Sequence, residues 1–479
     1  MLYLFITLYI ISLSLIPVVI MTKKKPVTTV AYMLGILFLP VIGALVFLIF
    51  GTERILNKGR LKLFSNEALR SKLRHIESEW KPCLFDDSKQ KVPIKLESIL
   101  RLSRKFGLFN AVAGNQVEIL VDADETYHRM EKAILKAKHH INLEFYIFRT
   151  DEVGERFLNL LVEKAKQGIQ VNLIYDSLGS LSLGWNRSFL TRFRQAGVKV
   201  RDFLPLRTFI KPWNLNLRNH RKIIVVDNNI GFTGSLNIGK DFLSMVNKKK
   251  IKWRETQVMI KGPAVTQLQW IFCEDWYFST GEELFKSEYF LPAQNEGQDV
   301  LQVVPSGPDI REKAAYKVFL LAIFQAQKSI LLTTPYFIPD RPLNLALQLA
   351  ALRGVDVKIL VPRESDHKFI TLAGRSYYGE LLQNKVQIFE YLPGCHHAKM
   401  LIIDGYFSII GTTNFDVHSF DYNFELNIQI YGEQFAQKTE KLFYKDLEDS
   451  RELDMKTFQS RPVYQKFKEN TCRLFSPIL

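Results

Sequence analysis

Two long apolar runs open the chain. Residues 2–21 (LYLFITLYIISLSLIPVVIM) carry no charge, and after Thr22-Lys23-Lys24-Lys25-Pro26 a second uncharged run extends from Val27 to Phe50. Each is long enough to cross a hydrocarbon core of roughly 30 Å at about 1.5 Å per residue. No basic region precedes the first run and no small-residue cleavage site follows it, so it reads as a span and not as a removed signal. The pattern predicts a two-helix transmembrane hairpin over 1–51, with Gly35 and Gly43 allowing close helix approach. Lys23–Lys25 lie in its loop, while Arg54, Lys58, Arg60 and Lys62 follow the second span. That margin puts the rest of a multi-pass cell-membrane protein on the cytoplasmic side.

Residues 52–110 read as a charged connector, and beyond them the pattern changes to a repeated rhythm. MEKAILKAKHHINLEFYIF from Met130, then LLVEKAKQGIQVNLIYD, gives helix, strand, helix, Gly, strand. From Tyr316 the same order returns as YKVFLLAIFQAQKSILLTTPYFIP and LQLAALRGVDVKILVP. Gly168 and Gly354 sit where a helix C-cap leads into the next strand. Helices alternating with apolar strands predict an α/β sandwich in each of two halves, 111–293 and 294–479, divided near Gln294-Asn295-Glu296-Gly297.

Within this repeat a stricter one is embedded. HRKIIVVDNNIGFTGSLN at 220–237 returns as HAKMLIIDGYFSIIGTTN at 397–414, with His, Lys, Asp, Gly and Asn at the same offsets. The filler, Ile223–Val226 and Met400–Ile403, predicts buried strands. Side chains two apart on a strand share a face. His220 and Lys222 therefore face one point, and so do His397 and Lys399. Asp227 and Asp404 end their strands, after which Gly234-Ser235-Leu236-Asn237 and Gly411-Thr412-Thr413-Asn414 turn backbone and small polar groups back toward the strand start. A phosphate suits such a place.

Composition narrows the partner. Lys plus Arg outnumber Asp plus Glu by 64 to 49, a formal net charge of +15 that favours acidic partners such as nucleic acid or anionic lipid. The apolar N-terminus selects lipid, and no nucleic acid is expected. Cys83, Cys273, Cys395 and Cys472 lack CxxC spacing, which indicates reduced thiols and neither a zinc knuckle nor a disulfide scaffold.

The doubled HxKx4Dx6Gx(1–2)N pattern resembles the phospholipase D superfamily, and within it the bacterial cardiolipin synthases. NLRNHRK at 216–222, TPYFIPD at 334–340, NFELN at 423–427 and the terminal RLFSPIL extend the likeness over the whole chain. The resemblance implies two α/β/α halves related by pseudo-twofold symmetry, with one active site where their HKD motifs meet. It implies catalytic His220, Lys222, Asp227, His397, Lys399 and Asp404, the two aspartates being read as structural more than reactive. Asn237, Asn414, Ser235 and Thr412 would bind the phosphoryl group, and Glu255 and Glu425, downstream of each motif, would orient the histidine rings. His220 is implied as nucleophile and His397 as acid in phosphatidyl transfer between two phosphatidylglycerol molecules, giving cardiolipin and glycerol. No metal and no cofactor is called for, because lysines and histidines supply the charge and the protons.

Other histidines fit less well. His396 falls out of register on the opposite strand face, and His139-His140 match no motif. His418 stands where many cardiolipin synthases carry Arg. Lys248-Lys249-Lys250 reads as a solvated loop. Two other functions use the same residues: a hydrolytic phospholipase D, nuclease or other phosphodiesterase with water as acceptor, and a membrane scaffold with a dead site. The membrane spans weigh against a nuclease, and the intact motifs against a scaffold.

Overall fold

The computed structural model describes residues 2–22, 26–51, 62–69, 96–106, 108–205, 217–243, 252–286, 289–290, 294–310 and 313–476. Cys83, the Lys23–Lys25 loop, Arg54, Lys58, Arg60, Lys248–Lys250 and the last three residues lie outside that set.

Among the described residues, fifteen strands form one mixed sheet that runs through both halves. From one edge the order is Ser450–Glu452, Gln387–Tyr391, Asp356–Pro362, Ser329–Thr333, Met400–Ile403, Phe407–Gly411, Glu425–Tyr431 and Asp299–Ser306. It continues as Val112–Val121, Thr256–Lys261, Ile230–Gly234, Ile223–Val226, His140–Phe145, Gln170–Asp176 and Lys199–Phe203. Apart from the added edge strand 450–452, the second series is the first in reverse. The halves are thus related by a pseudo-twofold axis at the seam, where Val112 pairs with Leu301 and Asn115 with Asp299 in antiparallel register.

The repeated rhythm produces repeated parts. Asp151 caps helix Glu152–Lys166 by accepting from Val153 N (3.1 Å) and Gly154 N (3.2 Å), and Asp340 caps Arg341–Leu352 through Leu343 N (3.1 Å). Both helices stop at a glycine in the left-handed region, Gly168 (φ 88°) and Gly354 (φ 90°), and turn into a parallel strand. Strands His140–Phe145 and Met400–Ile403 are buried along their whole length, as strands covered by helices on both faces must be.

The N-terminal runs are helical but interrupted. The first consists of Leu2–Leu13 and Ile16–Met21, with bonds from Ser14 N to Ile10 O (3.0 Å) and Leu15 N to Ser12 O (3.1 Å) bridging the break that Pro17 induces. The second consists of Pro26–Phe38, Pro40–Val46 and a π-turn over Phe47–Gly51. Leu39 leaves the helical region (φ −131°, ψ 67°) ahead of Pro40, and the short helix folds back on the longer one. Gly43 permits this, since a Cβ there would stand 2.2 Å from the Gly35 backbone. The two glycines therefore do bring helices together, but inside the second run. Among the described residues no helix is long and apolar enough to cross a membrane.

The connector is less detached than its charge suggests. Residues 62–69 are helical, and Lys62, Asn66 and Leu69, spaced i, i+4, i+7, are all buried. Leu69 joins the core beneath the seam.

Candidate active site

The two motifs meet because backbone segments cross the seam. His220 N donates to Phe424 O (2.9 Å), and His397 N donates to Arg254 O (2.8 Å), where Gly394–His396 runs parallel to Lys252–Arg254. Each histidine is thereby set beside the glutamate that follows its partner segment in the opposite half. His220 Nδ1 lies 3.0 and 2.9 Å from the carboxylate oxygens of Glu425, and His397 Nδ1 lies 2.9 and 3.1 Å from those of Glu255. Each glutamate faces the histidine of the other half, so neither half holds a complete set.

A carboxylate facing Nδ1 makes that nitrogen the N–H and leaves Nε2 with the lone pair. Both histidines line one cavity of about 510 Å³, together with Asn237 and Asn414. Burial lowers the His220 pKa to about 4, against the opposing pull of Glu425, so the ring is neutral at pH 7. His397 is lowered too, by burial and by Lys399. Burial pushes the two glutamates up, but the facing histidines and lysines outweigh it and hold both below the ordinary carboxylate range.

The lysines lie beneath the histidines. Lys222 Nζ donates to His220 O (2.8 Å), and Lys399 Nζ sits 2.7 Å from His397 O and 2.8 Å from His397 Nε2. Burial, with the neighbouring Lys399, brings Lys222 down to about 7, and burial brings Lys399 down to about 8. Two buried ammonium groups that depress themselves in this way suit a site awaiting an anion. The pairs also differ. Lys399 engages both the backbone oxygen and Nε2 of His397, whereas Lys222 bonds only the backbone oxygen of His220 among the described contacts.

Several expected residues have other employment. Thr412 Oγ1 donates to Glu425, and Ser235 Oγ donates to Thr256 O (3.0 Å) while accepting from Thr256 N (2.9 Å), so both hydroxyl protons are engaged within the protein. Asn237 Oδ1 accepts from Ile147 N (3.0 Å), while Asn414 Oδ1 is buried without a donor among the described residues. Asp227 and Asp404 lie outside the site. Asp227 accepts from Lys138, His139 and His140 N (2.8, 2.8 and 2.9 Å), Asp404 from Gln327, Lys328 and Ser329 N (2.9, 2.7 and 2.9 Å), and both have φ 53°. Each pins the entry to the neighbouring strand. They belong with the fold and not with the catalytic set.

His396 is buried away from the cavity on Asp446 Oδ2 (2.9 Å), and His140 packs edge-on against Tyr289. His418 does line the cavity, beside Arg218, whose charge adds to burial in lowering the His418 pKa. A cation is therefore present close to the position where the resemblance implies Arg.

The aromatic walls were missed. Tyr146 stands edge-on to His220 (5.1 Å between ring centres), and Trp253 and Tyr336 do so to His397 (5.0 and 6.5 Å). The repeat could have found them, because Tyr146 and Tyr336 occupy matching places in FYIF and PYFI. Asp416, buried in the same wall and raised to about 7 by burial, carried no sequence signal. No group of three or more His, Cys, Asp or Glu side chains arranged to hold a metal occurs among the described residues.

Comparison with known proteins agrees with this geometry. The family described as cardiolipin synthase, phospholipase D-like domain, matches residues 130–276 and 320–447, and a phospholipase D-nuclease N-terminal family matches residues 8–51. The cardiolipin synthase of Alkalihalophilus pseudofirmus is 36% identical, over 99% of this chain and 93% of its own length. That of Listeria monocytogenes serotype 4b is 36% identical, over 100% and 99%. The phosphatidylserine synthase of Haemophilus influenzae shares the fold at 15% identity, with a TM-score of 0.58 over 80% of this chain and all of that one. Two crossed HKD motifs in one cavity, a family match across both halves and near full-length relatives lead to one statement: the chain belongs to the phospholipase D-like cardiolipin synthase family of phosphatidyltransferases.

Proposed function

We propose that the chain joins two phosphatidylglycerol molecules into cardiolipin and glycerol through a phosphatidyl-His220 intermediate. The observation that carries this reading is the crossed pairing, which puts two differently bonded histidines on one cavity. His220 Nε2 attacks phosphorus, and His397 gives its proton to the departing glycerol oxygen. Lys222 and Lys399 turn to the phosphoryl oxygens as charge moves onto them. A bound phosphodiester also draws Lys399 off His397 Nε2, and its negative charge favours the imidazolium the acid must be. His397, now a base, takes the hydroxyl proton of a second phosphatidylglycerol. That oxygen attacks phosphorus and frees His220.

We place residues 1–51 in the bilayer as a hairpin, 52–110 as the connector, and 111–293 and 294–479 as the halves, with the body cytoplasmic. The uncharged runs and the bonds that step across the Ser14-Leu15 break support this. A straightened second arm, without the fold-back at Leu39, would complete the second span. Purified protein given phosphatidylglycerol alone is expected to yield cardiolipin and glycerol in equal amounts. Phosphatidic acid as the main product would favour the hydrolytic reading.

Anion binding is open to a second test. Free lysine titrates near 10.4, and Lys222 and Lys399 in the folded protein titrate at about 7 and about 8. Between those values the unfolded chain binds more protons, so stability without ligand rises with pH across that window. A bound phosphate restores both protons. Inorganic phosphate is therefore expected to raise Tm by about 1–3 °C near pH 7 and by less near pH 9. An equal shift in Lys222→Met would contradict the assignment.

A further inference from the structure

Helix Val463–Arg473 is amphipathic in an unusual sense. The face turned to the protein carries Glu469 and Cys472, and Glu469 accepts from Arg375 Nε (3.0 Å) and Arg461 Nη2 (2.9 Å). The outward face carries the apolar side chains: Val463, Tyr464, Phe467 and, just beyond the helix, Leu474 are 82, 73, 69 and 77% exposed. Tyr464, Phe467, Thr471 and Leu474, spaced three, four and three apart, form a single stripe. Lys468 borders it on one side, Lys466 and Arg473 on the other. A soluble helix puts its apolar stripe on the core; this one presents it to the surroundings between rows of positive charge.

The stripe leads to the cavity mouth. Phe475 meets Phe369 edge-on at 5.5 Å, both partly exposed, and His367 and Ile370 on either side of Phe369 line the active-site cavity. Trp185, 77% exposed, ends helix Leu181–Trp185, whose first residue lines the same cavity. Thr28 of the apolar N-terminal segment lines a separate cavity with Arg473 and Ser476, which sets that segment beside the same helix.

We infer that helix Val463–Arg473 and the Leu474-Phe475 turn form a second membrane contact, seated in the interfacial layer of an anionic phospholipid bilayer, which brings the cavity mouth down onto the lipid surface. Apolar side chains between basic ones fit that layer, and the surface is continuous both with the apolar N-terminus and with the cavity a headgroup must enter. The choice of lipid as occupant rests on the proposed phosphatidyl transfer. No residue of the helix lines the active-site cavity, so its role is to seat the protein on the bilayer.

The test uses the full chain with Cys83→Ser and Phe467→Cys, the remaining cysteines being buried, labelled at 467 with an environment-sensitive fluorophore. In vesicles of phosphatidylcholine with phosphatidylglycerol, quenching by brominated acyl chains and protection from aqueous iodide are expected, both weaker without phosphatidylglycerol. Iodide quenching as strong as in detergent would overturn the inference. So would protection that persists without lipid and disappears on dilution, which would show a second copy covering the stripe. In parallel, Phe467→Ser with Leu474→Ser is expected to lower turnover on vesicles on the order of tenfold and to leave turnover on monomeric short-chain phosphatidylglycerol unchanged. Equal loss on both substrates, or none on either, would also overturn it. The fluorophore reports lipid contact whatever the product, so failure of the transfer reading shows separately in the lipid products.

Discussion

His220→Ala is expected to lower cardiolipin formation by about 10⁴-fold or more and to abolish the covalent intermediate. His397→Ala is expected to lower it by about 10²–10⁴-fold while leaving the nucleophile in place. The two should therefore separate on a phosphatidyl donor with a good leaving group, such as p-nitrophenol, which needs no protonation. On that donor His397→Ala recovers its first step and His220→Ala does not. Loss of most turnover in either variant follows from the crossing of the halves: Glu425, which faces the His220 ring, belongs to the second half, and Glu255, which faces His397, belongs to the first. Half of the wild-type rate in either variant would mean two independent sites.

Lys62→Met is expected to lower the unfolding free energy by about 3–5 kcal/mol. The Lys62 ammonium is fully buried, 2.8 Å from Asp275 Oδ1 and paired with Asp309. Burial would lower its pKa, but the two aspartates outweigh that and hold it above the ordinary lysine value. Asp275 also takes Arg221 Nη1 at 2.6 Å, and Arg221 Nε donates to Glu425 O (3.1 Å). Removing Lys62 leaves two buried carboxylates with one cation, directly behind the His220-Glu425 pair. Denaturant unfolding of the solubilised protein measures the loss, and adding Asp309→Asn to Lys62→Met should return most of it. A loss under about 1 kcal/mol would show that water reaches the cluster.

Sequence patterning conveyed the halves, the buried strands beside each motif and the glycine helix ends, because those follow from local periodicity. It conveyed His220, Lys222, His397 and Lys399 as face-sharing pairs for the same reason, since two residues on a strand settle it. What it could not convey is which half each glutamate serves. Glu255 reaches His397 only because strands Gly394–His396 and Lys252–Arg254 pair across the seam, a contact between distant segments. Lys62 was hidden in the same way: in a charged connector nothing local distinguishes a solvated lysine from one held by two buried aspartates. Ser235 and Thr412 sit at the offsets of phosphate-binding turns, but their hydroxyls donate to Thr256 O and to Glu425, partners that no local pattern announces. The fold-back at Leu39 could have been suspected from Pro40 in the middle of an apolar run.

The most direct measurement is to mix the full chain with radiolabelled phosphatidylglycerol, quench in alkali within a single turnover, and map the label by proteolysis and mass spectrometry. One phosphatidyl group per chain, on the peptide containing His220, with none on the peptide containing His397, is the result expected of a single shared site. Label on His397, or on both histidines of one chain, would contradict it.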